Sequence, residues 1–382
     1  MIKHALQKRG NPMKFTCSTA ALSEACQNVQ RAISSKTTIP ALEGIYVRAA
    51  DGYLELTGYD LEVGIQTRID ASVKEEGSIV LNAKVFCEIL RRLPADTLEM
   101  ECDSRYLAGI IAGESRYRIN GMGAEEYPEL PSITGGVPLP LPLGTLKEMV
   151  RQTIFAVAVN PDTKPIHTGV KFELRPGELC LAAIDGFRLA TRSEAIEYDG
   201  EELGFVVPPK ALGELRSMGN DDETVSVAVG RRHIIFDIGR YHMVSRLLDG
   251  EFMNYRAAIP AAFKTEAAAD TRSLISSIER ISLIITEKIK SPIRCDVLPE
   301  EGRLEFTCAT GVGTARDSVA SDIEGEAFEV GFNNRFLLDA LRACDTDQVR
   351  MRFNGAVQPV VILPPEGESF LFMVLPVRLK SE

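Results

Sequence analysis

The sequence is poor in the residues that bind metal ions. Its 382 residues include only four histidines, with neither an HExxH motif nor a related ligand spacing. The eight cysteines are scattered and form no CxxC pair, which is typical of small apolar residues in a reducing compartment. We therefore expect no metal ion, no other cofactor and no disulfide framework, and we expect a cytoplasmic location.

Long hydrophobic runs are also missing. The longest apolar stretches, such as residues 283–285, are far shorter than the roughly 20 residues that cross a bilayer. Residues 1–12 are basic but contain no apolar segment, unlike a secretory signal. We expect them to form a flexible tail before a strand that begins at Met13. The chain also lacks a Walker A motif (GxxxxGK followed by Ser or Thr), which argues against ATP chemistry.

The strongest positive signal is a repeat with a period of about 125 residues. Similar segments begin at residues 54 ("LELTGYDLEVGIQTR"), 179 ("LCLAAIDGFRLATRS") and 304 ("LEFTCATGVGTARDS"). A second set begins at 79 ("IVLNAKVFCEILRRL"), 205 and 329, and a third at 117 ("YRINGMGAEEYPEL") and 242. A period this long is the size of a domain. We therefore predict three copies of one domain after the tail, at residues 13–134, 135–260 and 261–382.

Each copy is predicted to be an α+β domain. Leu54 and Leu56, followed by Leu61, Val63 and Ile65, alternate with polar residues as half-buried antiparallel strands do. Residues 224–229 and 349–353 show the same pattern in the later copies. Six windows have helical periodicity, and they are residues 19–33, 82–93, 143–157, 208–219, 271–285 and 333–344. Each domain should be two helices on antiparallel sheet, with a Pro/Gly linker at 135–144 and a second boundary near Pro260.

The charge distribution favours a basic surface on the helices. The chain carries a net charge of −11, which ordinarily argues against nucleic acid, yet five of the six helical windows are net positive. Six helices about 10 Å apart would enclose a bore of only ~8 Å, whereas twelve would enclose ~25 Å. Two chains could therefore surround a duplex that one chain could not, although simple solvated helix faces would carry the same charges.

An enzyme would need a catalytic constellation. Asp60 and Asp185 occupy matching repeat positions, but the third copy has small residues near Gly311 and no histidine accompanies the acids. Aspartate at a tight turn is the simpler interpretation. A peptide-binding scaffold with no role on DNA is a further alternative, and it would gain support if the helical cations scattered over several surfaces.

Several motifs together resemble one known family. They are "IPALEGIYV" (39–47), "LTGYDLEV" (56–63), "DGFRLA" (185–190), "EFMNYRAAIP" (251–260), "GFNNRFLLDAL" (331–341) and "LPVRL" (375–379). In this order, over residues 13–379, they resemble the bacterial sliding clamps, the beta subunits of DNA polymerase III. The resemblance implies a head-to-tail homodimer, closed as a ring around double-stranded DNA without reading its sequence. Such a clamp tethers the polymerase for processive synthesis, is placed by an ATP-driven clamp loader, and is not itself catalytic.

The resemblance also implies three sets of functional residues. A pocket for short peptides of the polymerase alpha subunit, the clamp loader and other partners would comprise His167, Gly186, Phe187, Arg188, Leu189, Met253, Asn333, Phe336, Leu375, Pro376, Val377, Arg378 and Leu379. The DNA-facing cations would be Lys36, Lys84, Arg91, Arg92, Lys147, Arg151, Lys164, Lys210, Arg216, Arg280, Arg335 and Arg342. The dimer interface would pair Tyr117 and Ile119 with Leu283 and Ile284.

The implied pocket departs from the family pattern at several positions. The family commonly has His where Phe187 stands, Met at Leu375 and Val377, and Pro at Met253. The pocket residues could also be ordinary core residues, and so could those of the implied dimer interface.

Overall fold

A computed structural model describes residues 12–34, 37–133, 138–159, 164–285 and 291–379. The helices are α1 (Thr19–Gln30), α2 (Ala83–Arg92), α3 (Leu143–Thr153), α4 (Pro209–Arg216), α5 (Thr271–Ser282) and α6 (Asn334–Ala343), with short 3-10 turns at Pro40–Glu43, Ile154–Ala156, Pro165–Thr168, Tyr255–Ala258 and Pro299–Glu301. All six predicted helices are confirmed, and the fold is α+β with antiparallel sheets, as predicted.

The strands follow the same order in the three repeats, except that the first has an additional short strand, Ser72–Glu75. They are β1 (Met13–Ser18), β2 (Gly44–Ala50), β3 (Tyr53–Tyr59), β4 (Val63–Asp70), β5 (Ser72–Glu75), β6 (Gly77–Asn82), β7 (Thr97–Cys102), β8 (Leu107–Ala112), β9 (Ser115–Met122), β10 (Leu139–Pro142), β11 (Val170–Arg175), β12 (Glu178–Ile184), β13 (Arg188–Ala195), β14 (Leu203–Val207), β15 (Thr224–Val229), β16 (His233–Ile238), β17 (Tyr241–Arg246), β18 (Thr265–Asp270), β19 (Ile293–Leu298), β20 (Arg303–Thr310), β21 (Gly313–Gly325), β22 (Phe328–Phe332), β23 (Gln348–Phe353), β24 (Val360–Leu363) and β25 (Phe370–Val374).

The chain forms two compact units. The first, Met1–Gly144 with Lys210–Leu247, contains a 13-stranded sheet in the order β10-β15-β16-β17-β4-β3-β2-β6-β9-β8-β7-β1-β5. The second, Thr145–Pro209 with Leu248–Glu382, contains a 12-stranded sheet in the order β14-β11-β12-β13-β25-β24-β23-β18-β21-β20-β19-β22. The middle repeat therefore contributes strands to both sheets.

Helix starts are fixed by side chains that accept a backbone hydrogen bond. Ser18 Oγ accepts from the N–H of Ala21 at 3.3 Å, and Asn82 Oδ1 accepts from the N–H of Val85 at 3.1 Å. Asp270 does the same before α5. Along α1, the stripe that includes Leu22 is fully buried against the first sheet. Apolar burial thus holds the helices on the sheets, while the caps decide where each helix begins.

Three details of the sequence interpretation were wrong. The helices end up to four residues earlier than the windows, so Arg31 follows α1 instead of lying within it. The stretch at 135–144 is not only a linker, because β10 lies within it and pairs with β15 at the sheet edge, where prolines are tolerated. Leu61 is not a strand residue, since it has a φ of 75° in the turn between β3 and β4.

Candidate interaction surfaces

The seam between the first and second repeats lies within the first unit. Strand β4 pairs with β17 from Thr67↔Tyr241 to Val63↔Ser245, so the sheet continues from one repeat into the next. Two charged contacts accompany this pairing. Arg31, just after α1, lies 3.5 Å from Glu214 of α4, and Lys210 at the start of α4 pairs with Asp60.

The seam between the second and third repeats, within the second unit, has the same plan. Strand β13 pairs with β25 in register from Arg188↔Val374 onward. Arg151 of α3 donates hydrogen bonds to the last carbonyls of α6, at 3.1 Å to Arg342 and 2.8 Å to Ala343. Arg188 pairs with Asp339 of α6 at 2.5 Å. Both internal seams therefore have the same three parts. Two strands pair across the seam, the end of a helix on one side contacts a helix on the other, and a turn forms an ion pair with that second helix.

The two matching aspartates are turn residues. Asp60 Oδ1 accepts from the N–H groups of Glu62 at 3.0 Å and Val63 at 2.8 Å. Asp185 Oδ1 accepts from the N–H groups of Phe187 at 2.9 Å and Arg188 at 3.0 Å. Each carboxylate thus fixes its own turn, as the simpler interpretation predicted. The idea of a catalytic carboxylate pair was wrong, because the two groups serve different seams.

Apart from the terminal strands of the two sheets, β9 and β21 have an edge without a partner strand along part of their length, as far as the described residues go. Strand β9 pairs with β8, but it reaches β6 only through Gly121 and Met122. Strand β21 pairs with β20 over 313–320 and with β18 only beyond Ala320. Unpaired N–H and C=O groups on such edges are ready to join another strand.

The residues implied for the dimer interface lie beside these edges. Tyr117 and Ile119 belong to β9, and the Tyr117 side chain is 39% exposed. Leu283 follows α5 and is 82% exposed, whereas the adjacent Ile284 is partly buried. Arg280 of α5 reaches Asp317 of β21 at 2.5 Å, which places this end of the helix over the open edge.

One part of the implied peptide pocket is an aromatic surface around the Asp185 turn. The ring of Phe187, 61% exposed, stacks on Phe336 of α6 with 6.0 Å between centroids. The Arg188 guanidinium is buried between Phe336 at 4.6 Å and Phe155 at 5.5 Å, measured to the ring centroids. Gly186 has a φ of 91°, which only glycine adopts readily. The turn and α6 therefore form one surface.

The chain end borders this surface. The N–H of Leu375 donates to the carbonyl of Phe187 at 2.8 Å, and the N–H of Val377 donates to Gly331 at 2.8 Å. Val377 is 40% exposed, and Arg378 is also exposed. Pro376 and Leu379 are partly buried and line cavities on either side of the chain end. Asn333 caps α6, because its Oδ1 accepts from the N–H of Arg335 at 3.0 Å.

The other part of the pocket lies around the 3-10 turn Tyr255–Ala258. Leu189 is fully buried there in a cluster with Tyr255 and Met373, so it is a core residue and not an exposed contact. His167 packs edge-on against Phe252 with 5.2 Å between centroids, and Met253 beside them is 39% exposed. Burial, with a smaller effect of Lys164, lowers the His167 pKa.

A buried carboxylate fixes this turn. Glu173 Oε2 accepts from the Tyr255 hydroxyl at 2.7 Å and pairs with Arg256 at 2.5 Å, while Oε1 pairs with Lys171 at 2.6 Å. Burial alone would raise the Glu173 pKa, but these three donors lower it to about 2. Sequence reasoning missed Glu173 and the roles of Phe252 and Tyr255, although both rings lie in the quoted "EFMNYRAAIP" motif.

Most of the implied DNA-facing cations are exposed. Those on the described surface are Lys84, Arg91, Arg92, Lys164, Lys210, Arg216, Arg280, Arg335 and Arg342, whereas Lys147 is partly buried and Lys36 lies outside the described residues. Several of them pair with nearby acids, such as Arg91 and Arg92 with Glu88, and exposed pairs of this kind are weak. Arg151 is different, because its guanidinium is committed to the carbonyls at the end of α6.

Within the described ranges, no group of three or more His, Cys, Asp and Glu side chains is arranged to hold a metal ion. No described helix is long and apolar enough to cross a membrane.

Comparison with known proteins gives one consistent result. Three models of the DNA polymerase III beta subunit match in sequence order, the N-terminal domain at residues 13–131, the central domain at 140–254 and the C-terminal domain at 256–378. The beta sliding clamp of Bacillus subtilis is 34% identical over 377 residues, covering 96% of this chain and 100% of the relative. That of Synechococcus elongatus is 33% identical, covering 97% and 100%.

Solved structures agree. The crystal structure of the DNA polymerase sliding clamp from Bacillus subtilis matches with a TM-score of 0.94 at 33% identity, covering 96% of this chain and 100% of that one. The DNA polymerase III beta subunit from Pseudomonas aeruginosa matches with a TM-score of 0.90 at 26% identity, with the same coverage.

Proposed function

The chain belongs to the DNA polymerase III beta subunit family, the bacterial sliding clamps, and from that premise we propose that two copies close into a ring around duplex DNA. The ring holds DNA by topology and tethers the replicative polymerase in the cytoplasm. A member of this family is a processivity factor and is not itself catalytic.

The observation that carries this proposal is the pair of open strand edges. Strand β4 pairs with β17 at the first internal seam, and β13 pairs with β25 at the second. In the repeat, β21 corresponds to β4 and β13, while β9 corresponds to β17 and β25. A third seam of the same kind therefore needs β21 of one copy and β9 of another. The exposed Leu283 and Tyr117 would be buried there, along with Ile119 and Ile284.

The helical cations are the proposed DNA surface. Lys84, Arg91, Arg92, Arg216 and the other exposed helical cations would contact phosphates without reading bases, so binding should be weak, independent of sequence and sensitive to salt. Lys147 and Arg335 belong to the same proposed surface. Arg151 is left out, because the carbonyls of α6 already use its donors.

The proposed partner site is the surface around Phe187, Phe336 and the chain end at 375–379. The exposed Phe187 ring and the partly buried Phe336 ring, beside an apolar cluster, suit a short peptide with apolar anchors, such as the polymerase alpha subunit and the clamp loader would present. The cluster contains Leu189, which contributes only as buried support. We place the domain boundaries after residues 134 and 260, just before β10 and β18.

Topological retention on DNA tests the proposal. The protein is loaded onto nicked circular DNA with a bacterial clamp loader and ATP, and bound protein is measured before and after one restriction cut. The loader's own clamp, run in parallel, shows that loading works. Release of this protein on linearisation is expected. Equal retention on circles and linear DNA would contradict encirclement and favour ordinary surface binding or a peptide scaffold.

A further inference from the structure

In the first repeat, the chain that follows β9 folds back over the sheet. The Tyr127 hydroxyl donates to the carbonyl of Thr57 at 3.1 Å, and its ring lies 5.4 Å from the ring of Tyr46, centroid to centroid. Tyr46 of β2 and Thr57 of β3 are register partners. The Tyr46–Thr57 position of the sheet is thus covered by the Tyr127 ring, which belongs to the segment after β9, the last strand of the repeat.

The second repeat covers the equivalent position in the same way. Lys171 of β11 and Ala182 of β12 are the matching register partners, each 125 residues further along the chain. The Lys171 ammonium lies 5.5 Å from the ring centroid of Phe252 and 5.7 Å from that of Tyr255. Phe252 corresponds to Tyr127 in the repeat. A cation–π contact here replaces the ring-to-ring contact of the first repeat.

In the third repeat the equivalent sheet position is present, but no aromatic ring of the described residues lies over it. Arg294 of β19 and Thr307 of β20 are the matching register partners. After β25 the chain runs along β22 instead, with Val377 bonded to Gly331. A groove of about 1020 Å³ remains, lined by Arg294, Thr307, the start of β21 and the chain end at 377–379. No aromatic ring of the described residues stacks on Arg294.

We propose that this groove binds, in trans, an extended peptide segment whose aromatic ring stacks on Arg294. The two internal segments define the ligand chemistry. Both have acidic residues just before the ring, Glu125 and Glu126 before Tyr127 and Glu251 before Phe252. Arg316 and Arg378 also line the groove, so an acidic aromatic segment matches the charge of the lining. It would compete with Glu329, 3.3 Å from Arg294, and with Glu305, 2.6 Å from Arg316.

Pairing with a second copy does not close the groove. At the first seam, two side chains from different parts of the chain lie close to Gly64 of β4. A Cβ built on Gly64 would lie 2.4 Å from Leu130 and 3.0 Å from Val244. Leu130 belongs to the covering segment and Val244 to the adjoining strand β17. The segment that follows β9 and the strand of the neighbouring repeat therefore both contact β4 without excluding each other. The corresponding strand in the third repeat is β21, so a second copy would form one wall of the groove.

The groove adjoins the proposed partner site, because the chain end at 377–379 lines both, but Arg294 itself lies outside that site. Phe187 and Phe336 face the Asp185 turn, whereas Arg294 lies on β19 of the third repeat. Arg294→Ala and Phe336→Ala change residues that belong to only one of the two sites, so each site can be tested by its own variant.

The test uses the full chain and a fluorescent peptide copied from residues 123–131 (GAEEYPELP). Fluorescence anisotropy should show saturable binding, lost when the tyrosine of the peptide is replaced by alanine. Arg294→Ala should weaken binding about tenfold, from the loss of one partly desolvated cation–π contact. The matched control is Arg352→Ala, because Arg352 also stacks on a ring, that of Phe263, on another part of the same sheet.

Three outcomes would overturn the proposal. The peptide could fail to bind at all, or Arg294→Ala could bind it as tightly as the unmodified protein. Alternatively, Phe336→Ala could abolish binding while Arg294→Ala does not, which would place the peptide in the partner site. Circular dichroism of each variant excludes loss of folding as the cause.

Discussion

Replacing Thr310 with aspartate should tighten the association between two copies of the chain. At the first internal seam, Asp60 pairs with Lys210, the second residue of α4. Thr310 occupies the position of Asp60 in the third repeat, and its Oγ1 accepts from the N–H of Val312 at 3.1 Å as Asp60 accepts from Glu62. The second residue of α2 is Lys84, the counterpart of Lys210. Thr310→Asp would therefore place a carboxylate opposite the partner's Lys84.

The size of the effect follows from the exposure of the pair. The Lys210 side chain is 39% exposed and that of Asp60 is 6% exposed, so the burial of this ion pair is intermediate between that of a surface pair and that of a buried pair. A surface pair contributes about 0.2–1 kcal/mol, and a closed dimer has two seams. The dimer dissociation constant should fall by roughly 2- to 30-fold at low salt, and the gain should shrink as salt screens the charges.

Sedimentation analysis at nanomolar concentration measures this constant. Thr310→Asn is the matched control, because it keeps a turn-forming side chain without the charge. Adding Lys84→Ala to Thr310→Asp should remove the gain, as a double-mutant cycle requires. Equal dissociation constants for the Asp and Asn variants would show that residue 310 does not face the partner's Lys84 as Asp60 faces Lys210, and would refute the prediction.

Three further predictions concern other parts of the chain. Leu283→Asp should raise the dimer dissociation constant about a thousandfold, because each of the two seams loses roughly 2 kcal/mol of apolar burial. Val357→Asp, at another exposed residue (76%), should leave the constant unchanged, and sedimentation measures both. Phe336→Ala should weaken binding of a clamp-binding peptide at least tenfold by calorimetry, and unchanged affinity would argue against the aromatic surface. The Glu173 pKa is lowered to about 2, so its stabilising effect is complete above about pH 4.5 and is lost as the pH falls toward 2. Urea unfolding of Glu173→Gln should therefore differ from the unmodified protein at pH 7 but much less at pH 3.

Much of the fold follows from patterns that are local in the sequence. The helices carry a clear apolar stripe, and the repeat places all six. The prediction failed where local signals conflict, as at β10, because prolines at 140 and 142 indicate a linker although an edge strand tolerates them. The continuation of each sheet across a seam could not be predicted, because β4 and β17 are more than 170 residues apart.

The candidate sites show the same limit. Phe187 and Phe336 could be found because each lies in a quoted motif. The commitment of Arg151 to the end of α6 could not, since a helical arginine gives no sign in sequence of the carbonyls it meets. The uncovered position at Arg294 is visible only when the register partners of all three repeats are compared.

The open edges of β9 and β21 are different surfaces, so a contact between them is heterologous. Such an interface leaves one unsatisfied edge at each end of any open assembly, and growth stops only when the last edge meets the first. The angle at each seam, and not the strength of the contact, then decides whether two copies close or a longer polymer grows. A substitution that tilts β21 slightly could leave affinity intact and yet produce filaments, so the geometry of this edge is under a constraint that stability measurements alone would not reveal.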